Sequence, residues 1–106
     1  MKREVGSHLS QKLMERRKEL DLINQKLLTL LNQRLRITLK IGKVKKEMGK
    51  KIYDTEREKE ILDNLKRKNR GPLKEKDLKE IFATIMKVCR QSQIQTYRPS
   101  KTKNLR

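Results

Sequence analysis

Between Leu9 and Met48 the chain has no proline and a single glycine, and its apolar residues recur at Leu13, Leu20, Ile23, Leu27, Leu30, Leu31, Leu35, Leu39, Ile41 and Val44. This roughly helical spacing predicts one continuous helix over the whole span. At 1.5 Å per residue such a helix runs about 60 Å, against a radius of gyration of about 13 Å for a compact globule of this length. The rest of the chain cannot wrap it. With only 33% apolar and 3% aromatic residues, one copy also has little core to offer. A second chain is therefore expected along the helix.

Gly49 is the expected stop of that helix, and Lys50 to Tyr53 read as a short connector. Asp54 is placed to cap a second helix, with Glu56 and Glu58 in its first turn where acidic groups favour the helix dipole. That helix is expected to end near Asn69, in the run Asn69-Arg70-Gly71-Pro72. There Gly71 would supply a left-handed residue and Pro72 would forbid continuation. A third helix is expected from about Leu73 to Gln95, with Leu78, Ile81, Phe82, Ile85, Met86 and Cys89 forming its buried stripe. The fold class is all-α, three helices per chain. Residues 1–8 read as an N-terminal extension, disordered or left over from cloning at Gly6-Ser7. Residues 9–96 form the domain, and 97–106 a basic flexible tail.

A single cysteine, Cys89, excludes an intrachain disulfide. With only His8 beside it, zinc held by the usual Cys and His ligands is excluded too. No apolar run approaches a membrane span, and the first ten residues lack the apolar centre of a secretory signal, so a cytoplasmic protein is expected. The formal net charge of +17 implies an anionic partner: nucleic acid, an acidic surface, or a small polyanion.

The runs Ile41-Gly-Lys-Val-Lys45 and Ile52-Tyr-Asp-Thr-Glu-Arg-Glu58 carry more information than charge does. With Gly71-Pro-Leu73 and Ile81-Phe82 ahead of Gln93, they resemble the all-helical chorismate mutases. The resemblance covers about residues 13 to 95. It includes residues 20–28 and the Asn32-Gln-Arg-Leu35 stretch, and it depends on a Gly-Lys-x-Lys to Asp-x-x-Arg-Glu separation that one-residue slippage would spoil. It implies an intertwined homodimer of three-helix chains with two shared sites, no cofactor, no metal, and the chorismate dianion as substrate. Membrane or specific nucleic-acid binding is not implied.

By the same resemblance Arg34 and Lys45 come from the long helix, and Asp54, Arg57 and Glu58 from the start of the second. Cys89 and Gln93 come from the third, and the partner subunit's Arg17 completes the set. Where this chain has Cys89 the family often has serine, and a thiol is the weaker hydrogen-bond partner. Helix geometry agrees independently. Arg34 and Lys45 are eleven residues apart, about three turns, and so share an azimuth. Arg17 lies about 25 Å before Arg34 and roughly 100° round the helix, out of reach of the same small molecule.

Chorismate rearranges to prephenate, toward phenylalanine and tyrosine, by breaking a C–O bond and making a C–C bond in one concerted step. No nucleophile or proton abstraction is needed. The protein's part is to hold both carboxylates so that the substrate takes its compact reactive chair, a role that suits Arg17 and Arg34. Lys45 and Gln93 would donate to the ether oxygen as negative charge grows on it, more strongly in the transition state than in the substrate. Asp54, Arg57 and Glu58 would hold the ring hydroxyl and complete the charge pattern.

Two other readings compete. A basic, coiled-coil-like module that binds nucleic acid or protein would account for the charge and the long helix, but not for the ordered motifs. A mutase-like domain without activity, sensing a pathway metabolite, would account for both. Taken singly, most of the thirty basic residues are solvated helix surface. Tyr53 and Phe82 read as packing residues, since nucleic-acid modules interleave several aromatics with their basic groups.

Overall fold

The computed structural model describes residues 2–97, with side chains from residue 6 onward. The expectation for the tail beyond Tyr97 lies outside these residues. Three helices follow in order: α1 (Lys2–Glu47), α2 (Thr55–Lys68) and α3 (Glu75–Tyr97). No strand occurs among the described residues. The chain divides into two units, Met1–Arg34 and Leu35–Arg106. Within its described residues the first is the N-terminal part of α1. The second holds the last turns of α1 together with α2 and α3.

Helix α1 starts seven residues before the expected Leu9. Residues 1–8 were expected to be an extension outside the helix, yet Gly6 does not end it: one interior glycine costs a long helix only about 1 kcal/mol relative to alanine. At its other end the expectation and the structure agree in detail. Gly49 has a positive φ of 68°, a conformation that strains any residue with a Cβ. Its N–H donates to the Lys46 carbonyl at 3.1 Å, and the Lys50 N–H reaches back to the Lys45 carbonyl at 2.8 Å. These two bonds close a Schellman turn, which satisfies carbonyls the helix end would leave bare and sends the connector back toward α1.

Asp54 caps α2 from extended backbone, its carboxylate accepting the Arg57 N–H at 3.0 Å. Acidic residues in the first turn and Lys66, Arg67 and Lys68 in the last complement the helix dipole at both ends. The stop after α2 works differently from the expectation. Gly71 is not left-handed; among the described residues only Gly49 has positive φ. The Asn69 side chain makes the turn instead, accepting the Gly71 N–H at 3.2 Å and donating to the Leu73 carbonyl at 2.7 Å. Leu73 is thereby held in the turn, and α3 begins two residues later than expected, with the Leu78 N–H bonded to the Lys74 carbonyl.

Within the second unit α2 packs against α3. The buried residues of α3 are Leu78, Met86, Cys89 and Gln93, on one face at steps of eight, three and four. Ile81, expected in that stripe, is 47% exposed, and Phe82 and Ile85 are half-buried. A core of three apolar side chains and one amide is small. Along α1 most apolar residues stay about half bare: Leu20, Ile23, Leu27 and Leu31 are 54, 52, 51 and 42% exposed. Leaving a leucine half bare forgoes about 1 kcal/mol of burial. No helix among the described residues is long and apolar enough to cross a membrane.

Candidate active site

Lys45 stands in the last turn of α1, half-buried, and its ammonium donates to the Ile52 carbonyl of the connector at 2.9 Å. The turn at Gly49 makes this possible by folding the connector back alongside the helix that it has just left. Lys45 and Asp54 thus line one open groove, with Met48, Lys50, Tyr53 and Glu56 around them. A single backbone carbonyl leaves the ammonium two further donor hydrogens.

Gln93 comes from the other side. It is 7% exposed, a polar group placed among the core residues of α3, and its Nε2 donates to the Thr38 carbonyl of α1. That carbonyl can only accept, so it dictates which way the amide faces and leaves the second N–H and Oε1 for another partner. The close approach depends on Gly42, which is buried. A Cβ there would lie 2.9 Å from Tyr97 Cδ2 and 3.3 Å from Gln93 Cγ. Gly42→Ala should therefore cost stability, overpacking of about 1–3 kcal/mol outweighing about 1 kcal/mol of gained helix propensity. Thermal melting at one fixed protein concentration is the check. A melting temperature equal to or above wild type would mean that Tyr97 moves aside freely.

The second helix contributes Glu58, whose carboxylate pairs with Arg90 of α3 at 2.5 Å. The Arg90 guanidinium also lies over the Tyr53 ring, 4.1 Å from its centroid. Asp54 and Arg57 sit at the head of α2 as expected. Arg57, 56% exposed, pairs its guanidinium with Glu60 one turn on, and Asp54 is occupied in capping. Cys89 is buried on α3, four residues before Gln93. Arg34 is half-buried and Arg17 exposed, both on α1.

Lys45, Glu58 and Gln93 are thus brought into one connected set. The links run from Lys45 through the connector to Tyr53, Arg90 and Glu58, and from Arg90 along one turn of α3 to Gln93 and Thr38. Two members of the set, Thr38 and Arg90, were not singled out from sequence. Gly42, which lets Gln93 come close, stood in the motif as the lone glycine in forty otherwise unbroken helical residues.

The described fold is that of an all-α domain whose polar groups converge where three helix ends meet. The family described as chorismate mutase type II matches residues 16–94. The chain belongs to that family. A bifunctional chorismate mutase/prephenate dehydratase of Aquifex aeolicus is 34% identical over 83 residues, 74% of this chain but only 23% of that protein. Two structures of chorismate mutase from Thermus thermophilus are similar as well. Form II superimposes with a TM-score of 0.79 at 31% identity, over 82% of this chain and 99% of the other. Form I gives 0.72 at 35% identity, over 74% and 98%.

Proposed function

We propose that this chain rearranges chorismate to prephenate as a cytoplasmic homodimer. The observation that carries the reading is the Lys45 ammonium lining an open groove with Asp54, together with a buried Gln93 amide oriented by the Thr38 carbonyl of the same helix as Lys45, in a chain of this family. Both are donors with hydrogens to spare, which a developing negative charge on an ether oxygen requires. Glu58 with the Asp54 backbone would take the ring hydroxyl. Arg34 and the partner subunit's Arg17 would clamp the two carboxylates, each in the two-pronged fashion of a guanidinium. The bare apolar side chains of α1 support the dimer, since a second α1 would cover them.

Purified protein should consume chorismate, followed by loss of its ultraviolet absorbance, with prephenate as the product. Sedimentation should give twice the chain mass. Absence of turnover together with tight metabolite binding would replace this reading by that of a sensing domain. Oligonucleotide binding that survives moderate salt, without turnover, would replace it by the nucleic-acid reading.

A further inference from the structure

Arg90 lies outside every role assigned so far, although it touches two of the three segments that carry the proposed site. Its Nη1 is 2.5 Å from Oε2 of Glu58 on α2, and its Cζ is 4.1 Å from the centroid of Tyr53 in the connector. The pair is well sheltered, with the Arg90 side chain 20% exposed and the Glu58 side chain 25%. Arg90 is also three residues, one helical turn, from Gln93.

We infer that Arg90 is a positioning residue for substrate binding: it aims the Glu58 carboxylate and offsets its charge, so that a dianion can be held beside it. This rests on the function proposed above. An ionised carboxylate next to a doubly negative ligand is repulsive, and its contribution through a hydroxyl hydrogen bond is useful only when that repulsion is cancelled close by. Arg90 supplies the cancelling charge. Its planar guanidinium does so while stacked on Tyr53, donating in its plane and packing through its face, which an ammonium cannot do. Stacking in turn holds the connector whose Ile52 carbonyl receives Lys45.

The test compares Arg90→Leu, Arg90→Lys and Glu58→Gln, singly and as the Arg90→Leu/Glu58→Gln pair, by chorismate kinetics with melting temperatures alongside. Arg90→Leu should raise KM by about tenfold, between the small effect of an exposed ion pair and the large one of a buried pair, while kcat falls less than about threefold. Arg90→Lys should recover part of the lost affinity. In the double variant the Glu58 substitution should cost little further, because its carboxylate is already misplaced.

An unchanged KM in Arg90→Leu overturns the inference, as do losses that simply multiply in the pair. So does a kcat that falls as far as KM rises, the mark of a general loss of structure. If Arg90→Leu does not fold, Arg90→Gln, which keeps a hydrogen-bond donor and drops the charge, is read by the same criteria. A wild-type chain inert toward chorismate overturns the parent reading and this one together, whereas an active wild type with an indifferent Arg90 overturns this one alone.

Discussion

Alanine in place of Lys45 is expected to cut chorismate turnover by at least roughly 100- to 1000-fold, the about 2.7–4 kcal/mol that removal of one transition-state donor costs. Two effects combine. The ammonium is the group proposed to meet the growing charge on the ether oxygen, and it is also what ties the Ile52 carbonyl to α1. Losing that tie loosens the approach to Asp54, which caps α2 through its carboxylate. Comparing kcat with KM separates the two contributions. A missing transition-state donor lowers kcat and kcat/KM alike, while a slack connector acts on KM. Turnover within tenfold of wild type would mean that the reacting oxygen lies elsewhere.

The second large effect is expected from Gln93→Glu. At neutral pH the introduced carboxylate could donate nothing to an ether oxygen, and it would face the Thr38 carbonyl that Gln93 now serves as donor. Turnover should drop roughly 100-fold or more near neutrality and recover as the medium is acidified enough to protonate the new group. The wild-type amide donates at any pH, so its own profile should be broad and flat.

Stability should follow the same direction in the variant. Burial and the opposing carbonyl raise the folded-state pKa of the introduced carboxyl above its unfolded value. Its stabilising contact is therefore fully present below the unfolded pKa and lost as pH rises through the folded one. Melting temperature and rate measured over one pH series test both limbs. Equal rates for variant and wild type at neutral pH would remove Gln93 from the mechanism.

How much of this was legible beforehand depended on the reach of the interactions concerned. The three helices, the Asp54 cap and the Gly49 stop are local, written within five or six residues, and all were readable. The start of α1 was misplaced, since residues before Leu9 were read as an extension outside the helix, and the stop after α2 came where expected but by another device: Asn69 performs the turn assigned to Gly71. Lys45 and Gln93 were singled out through the family resemblance. Their hydrogen bonds to Ile52 and Thr38 were not, since nothing in a sequence marks which backbone carbonyl a side chain will meet. Arg90 was the hardest to see. It is one of thirty basic residues, and its partners Glu58 and Tyr53 are more than thirty positions away.

The half-bare leucines and isoleucines of α1 have a practical corollary for anyone weighing out the protein. Where a second copy covers them, as proposed above, the proportion of assembled chains becomes a function of how many share the vessel. Specific activity should then sag on extreme dilution and return on concentration. A rate quoted without its subunit molarity would be half a measurement.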